Sequence, residues 1–127
     1  MTRSVIFAGV SGAIMVAMGA WASHGFGGGE TARGWIATGA QYGLWHGIAL
    51  VAVAGVADRT RASRLLTASA VLFAAGIVLF SGSLFIRALT ALDWISPATP
   101  LGGLCFIGGW LILAAWGAAR YLRDDGK

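Results

Sequence analysis

Charge is scarce in this chain. Nine basic and five acidic residues make up 11% of 127 positions, where an ordinary soluble domain carries about 25%. So few charges cannot cover a chain that is 57% hydrophobic without exposing large apolar patches to water. An ordinary soluble domain is excluded, and the main solvent is lipid. Cysteine is nearly absent: Cys105 stands alone in an apolar run, so no internal disulfide forms and the thiol says nothing of redox compartment. Carboxylates are missing from the apolar runs altogether. That removes the three-ligand zinc arrangement, and one thiol cannot build a soft copper site. It also leaves no carboxylate or lysine to orient a histidine base beside a serine, so enzyme activity has weak support and no catalytic residue is assigned.

What is present is length between the charges. Clusters at Arg3, at Glu30 and Arg33, from Asp58 to Arg64, at Arg87 and Asp93, and from Arg120 to Lys127 separate four apolar segments. The segments run approximately from Val5 to Ser23, Trp35 to Ala57, Leu65 to Leu92 and Leu101 to Ala119. Each meets the ~20 residues a helix needs to cross ~30 Å of hydrocarbon. The expected fold is therefore an all-α, single-domain bundle of four transmembrane helices. The first run is too long for the h-region of a cleaved signal peptide, about 7 to 15 residues, and is read as a retained helix.

Seven of the nine basic residues fall at one end of a four-span arrangement: Arg3, Arg59, Arg61, Arg64, Arg120, Arg123 and Lys127. The positive-inside rule then puts both termini in the cytoplasm and leaves Arg33 and Arg87 near the opposite face. Topology thus accounts for the net charge of +4, and no nucleic-acid partner is called for. The expected partner is the bilayer, with anionic headgroups drawn to the basic end.

Small residues recur at helical spacing. The first segment offers Gly9, Ala13, Ala17, Ala20 and His24, the third Ser69, Gly76 and Ser83, and the last Gly102, Cys105, Gly109 and Trp116. Such stripes let membrane helices approach closely, and a homo-oligomer through glycine-rich faces is a further expectation. "GFGGGE" after His24 has no preceding strand and no P-loop lysine, so it reads as a flexible extramembrane loop. In "SPATP", Thr99 is a candidate N-cap and Pro100 a first-turn residue. Trp21, Trp35 and Trp94 read as interfacial anchors.

The polar residues of "QYGLWHGIAL" need a reason. Counting from Ala57 at about 1.5 Å per residue puts His46 ~16 Å into the membrane, the deepest ionisable group. On a helical wheel Tyr42 shares its face, while Gln41 points about 140° away, toward another helix or a second subunit. In the third segment Ser83 and Arg87 stand at i, i+4. The reading that follows is an outward-opening polar cavity lined by His24, Tyr42, His46, Ser83 and Arg87, holding a small or lipidic molecule, with transport as an extension. One rival is a structural or assembly subunit whose polar residues only lock helices together; another is a redox protein holding quinone or haem. His24 and His46 differ in depth by ~13 Å, which argues against a shared metal or bis-histidine haem, so no metal or cofactor is expected.

Four stretches in order, "GAWASHG", "TGAQYGLWHGIAL", "FSGSLFIRAL" and "TPLGGLCFIGGW", together resemble the domain of unknown function 423 family. These are small inner-membrane proteins, also called uncharacterised protein family 0382, to which the eukaryotic transmembrane protein 256 is similar. The resemblance implies a bacterial cytoplasmic (inner) membrane location and marks His24, Gln41, Tyr42, His46, Ser81, Gly82, Ser83, Pro100, Gly102, Gly103, Gly109 and Trp110. Of these, Gln41, Ser81, Gly82, Gly102, Gly103 and Gly109 are expected in helix packing or contact with a second subunit. The loop "GFGGGE" departs from the family by being richer in glycine. No activity comes with the resemblance.

Overall fold

Four helices long and apolar enough to cross a membrane make up the protein in the computed structural model, which describes residues 1–60 and 63–124. They are α1, Thr2–His24; α2, Glu30–Arg59; α3, Arg64–Thr90; and α4, Ala98–Asp124. Arg61 and Lys127, counted above in the basic end, lie outside the described residues. The chain is an all-α transmembrane bundle, and among the described residues there is no strand.

The helix ends differ from those expected, for a physical reason. Hydropathy marks where hydrocarbon begins, whereas the helical ladder continues into the headgroup layer. So α2 starts at Glu30 rather than Trp35, placing a carboxylate in the first turn, where the helix dipole favours it. α3 begins where the Ser63 hydroxyl accepts the Leu65 amide at 3.3 Å. It ends at Thr90, two residues short of Leu92, because Ala91 adopts a left-handed conformation (φ 55°) and returns its N–H to the Arg87 carbonyl. α4 begins at Ala98 after a 3₁₀ turn, Asp93–Ile95. Thr99 is thus inside the helix instead of capping it. Pro100 remains in the first turn, where its missing N–H costs no intrahelical bond.

Consecutive helices pack side by side. α3 is central, with α2 and α4 against it, and α1 lies mainly on α2. The apolar centre is built from Leu50 and Val53 of α2, Leu66, Phe73 and Ile77 of α3, and Phe106 of α4, all less than 5% exposed. Val10, Ile48, Val71, Leu104 and Leu111 point outward and are more than half exposed, as lipid-facing residues should be.

α1 turns a different face inward from the one its small-residue stripe predicts. Ala8, Ser11, Met15 and Ala22 are buried, while Gly9, Ala13, Ala17, Ala20 and His24 are exposed. The α3 and α4 stripes do face neighbours: Ser69, Gly76, Ser83, Gly102 and Gly109 are buried. Within α3, Ile77–Ser81 forms a wide π turn. Gly102 of α4 sits so close to this turn that a side chain there would run into the Phe80 backbone.

Candidate functional site

His46 stands where α2, α3 and α4 meet. It is only 6% exposed, and its ring lies flat on Phe106 with centroids 3.5 Å apart and planes 9° from parallel. Phe73 approaches at 5.7 Å and Tyr42 at 6.2 Å. Glycines make the room: a side chain on Gly76 would collide with the Phe106 ring, and one on Gly109 would come within 2.6 Å of Phe73. Small residues on one helix thus seat aromatic rings from another.

Both ring nitrogens of His46 are engaged. Trp110 Nε1 lies 3.2 Å from Nε2; an indole N–H can only donate, so Nε2 accepts. Nδ1 therefore carries the proton and donates to the Tyr42 carbonyl oxygen, 2.7 Å away on the preceding turn. A neutral histidine with one donor and one acceptor used is fully satisfied at membrane depth. No lone pair is left for a metal or haem iron. The polar cavity expected around His46 is replaced by packed rings, because Phe73, Phe80, Phe106 and Trp110 fill the space from α3 and α4. Tyr42, expected to look inward, sits at the rim and is 38% exposed.

The serines of α3 cross to its neighbours. Ser81 Oγ donates to the Gly39 carbonyl of α2 at 2.7 Å, Ser69 Oγ to the Gly109 carbonyl of α4 at 2.9 Å, and Ser83 Oγ pairs with Thr99 Oγ1 at 2.7 Å. Two of the three acceptors are glycine carbonyls, which no side chain shields. Gly82, by contrast, has open space where a side chain would go, and Gly103 has a single distant neighbour; neither seats a helix within this chain.

Arg87 belongs to another cluster at the far end of α3. Its guanidinium lies 4.2 Å over the Trp35 ring and 3.6 Å from Asp93, a cation–π stack beside a loose ion pair. Its Nε is buried without a hydrogen bond, facing aromatic rather than polar surface. His24, exposed at the end of α1, joins none of these contacts. The loop after it is partly fastened: Phe26 packs edge-on against Trp21 at 5.0 Å, and its carbonyl accepts Arg33 Nη2 at 3.0 Å. Of the five residues expected to line one cavity, Tyr42 and His46 come together, Ser83 and Arg87 bond elsewhere, and His24 stands apart. Among the described residues no three His, Cys, Asp or Glu side chains converge on a metal position.

Gln41 is different from all of these. It is exposed, on the face of α2 turned toward α1, and lines a cleft of about 710 Å³ with Met15, Gly19, Ser23, Ala40 and Trp45. Its amide bonds no other group among the described residues. At about 1.5 Å per residue, Gln41 is only ~5 Å from the midpoint of α2. An amide at that depth, facing lipid without a partner, is costly.

Sequence reasoning found His46 but missed Phe73, Phe106 and Trp110 as its surroundings, and missed the π turn. The local signals are Gly76, Gly102 and Gly109, whose lack of side chains marks the seats.

A family model described as protein of unknown function (DUF423) matches residues 18–103. The chain is 41% identical over 121 residues to UPF0382 inner membrane protein YgdD of Escherichia coli, covering 94% of this chain and 91% of that one. It is 36% identical to UPF0382 membrane protein YwdK of Bacillus subtilis, over 93% of this chain and 97% of the relative. A UPF0382 membrane protein of Haemophilus influenzae is 43% identical over 83% of this chain and 85% of its own. No solved structure matches.

Proposed function

Because this chain belongs to the family described as protein of unknown function (DUF423), whose E. coli relative is named an inner membrane protein, we propose that it is an inner-membrane binding protein for a small or lipidic molecule. The orientation read from the basic residues, termini inward, is part of this reading. The binding place is the α1–α2 cleft, on a different face of α2 from the rings around His46. The observation that carries this is Gln41: an amide with donors and an acceptor, at hydrocarbon depth, open to a cleft and bonded to nothing among the described residues. An amphipathic ligand with one polar group would satisfy it and fill the apolar remainder. His46, with both nitrogens used, supports the fold and not the ligand.

The test is mass spectrometry of lipidic molecules that stay with the protein after gentle extraction from its membrane. Gln41→Leu should lower retention about fivefold, the worth of one membrane hydrogen bond, with thermal stability unchanged. His46→Ala should do the reverse, keeping the ligand while lowering stability. Unchanged retention in Gln41→Leu sinks the binding reading.

One observation favours assembly instead. The outward stripe Gly9, Ala13, Ala17 and Ala20 on α1 is a surface against which a second membrane helix packs closely. If Gln41→Leu weakens chemical cross-linking between copies and leaves retained lipid unchanged, Gln41 serves a homo-oligomer.

A further inference from the structure

The end of the bundle opposite Arg87 carries two neighbouring hollows that share a wall. One, of about 210 Å³, runs between α1 and α3 beneath Arg3 and Ser4, with Phe7 and Leu50 in its wall. The other, of about 630 Å³, lies on α3 below Ser63 and Arg64. Thr67 and Val71 line both. The composite therefore has two arginines and three hydroxyls around its mouth and an apolar floor formed by Val71 and Leu72.

The Thr67 hydroxyl at this mouth donates to the Ser63 carbonyl at 3.3 Å; the arginines and the Ser63 proton are available. Arg3 and Arg64 are exposed, and neither pairs with a carboxylate among the described residues. Asp58 at the same end lies 3.7 Å from the Met1 amine. The Ser63 oxygen accepts the Leu65 amide, and its proton goes to no group among the described residues. Val71 is seven residues into α3 from Arg64, ~10 Å deeper along the helix axis. That is the offset between a lipid phosphate and the upper part of its acyl chain.

We propose that this composite cleft binds one anionic phospholipid of the surrounding bilayer. The phosphate sits between Arg3 and Arg64 with the Ser63 hydroxyl as a further donor, and an acyl chain follows Val71 and Leu72. Charge complementarity selects the lipid class. A zwitterionic headgroup carries the same phosphate but brings an ammonium against two arginines, while an anionic one brings no such repulsion. Free phosphate uses the mouth alone and leaves the apolar floor bare. The site is separate from the Gln41 cleft, so either can fail without the other.

The full chain, exchanged into mild detergent with equal phosphatidylglycerol and phosphatidylcholine, tests this by native mass spectrometry. Phosphatidylglycerol should be the retained lipid. Arg3→Gln with Arg64→Gln should lower its retention about tenfold or more, while Arg59→Gln with Arg123→Gln, the same charge removed at the same end, should change it less than about twofold. Equal loss in both pairs means diffuse attraction and overturns the site. Val71→Trp fills the floor without touching charge and should lower retention about threefold; unchanged retention there overturns the proposal even if the arginine pair does not fold. Displacement of the lipid by millimolar inorganic phosphate also overturns it, since the acyl floor would then contribute nothing.

Discussion

α1 and α4 are both outer helices, and lipid wraps them to a similar degree: 22% and 17% of their apolar stretches are buried, against 44% in α2 and in α3. They are held in different ways. α4 is tied to its neighbours by three hydrogen bonds, from Ser69 to Gly109, between Ser83 and Thr99, and from Trp110 to His46. α1 has no interhelical hydrogen bond among the described residues, and its polar tie is the Met1 amine near Asp58. The clefts follow this difference. Those lined by Gln41, by Arg3, by Gly12 and by Ile14 all have α1 as one wall. No α4 residue lines any of these four clefts: hydrogen bonds and seated rings close the α3–α4 seam, whereas apolar contact of small residues leaves grooves along α1. The lesson is that equal exposure does not mean equal attachment.

The sharpest way to stress this comparison is at the α3–α4 seam. Gly102→Leu forces a side chain into the Phe80 backbone, which cannot swing aside as a side-chain tip would. It should cost at least about 3 kcal/mol, read as a fall in thermal or denaturant midpoint in detergent. Next comes the junction itself. His46→Ala removes the ring against Phe106 and strands the Trp110 indole N–H, a loss of about 2 to 4 kcal/mol. Should His46→Ala melt like the parent, the junction is no fastening at all and the contrast between the two outer helices collapses.

The four spans were legible because hydrocarbon imposes a length and charge marks its edges. His46 was legible as a centre because a titratable group so deep must be satisfied by something. Its partners were not, since a phenylalanine facing lipid and one facing a histidine look alike in a membrane sequence, and Trp110 lies 64 residues away. The inward face of α1 was misread for a related reason. Gly9, Ala13 and Ala17 recur at steps of four, Ala8, Ser11 and Met15 at steps of three and four; both are helical spacings, and in lipid neither set is penalised for facing outward. In α3, the widened turn Ile77–Ser81 leaves no mark in the residue spacing, yet Ser83 beyond it stays buried in line with Ser69 and Gly76.

Smaller effects separate the hydrogen bonds from the packing. Ser69→Ala deletes the bond to Gly109 and leaves a carbonyl still engaged in its own helix, so about 1 kcal/mol should be lost, measured by unfolding in the same detergent.

Gly9→Leu, on the lipid-facing stripe of α1, should fall at the bottom of the scale. Beyond its own helical backbone, no described atom lies within 4 Å of the place its side chain would begin, and leucine is at home in lipid, so stability should move by no more than about 0.5 kcal/mol. The stripe is a surface for a second copy only if the same substitution abolishes cross-linking between copies while stability stays put. A loss of stability as large as that of Ser69→Ala would instead mean that α1 packs inward through Gly9, and the distinction between the two outer helices would have to be redrawn.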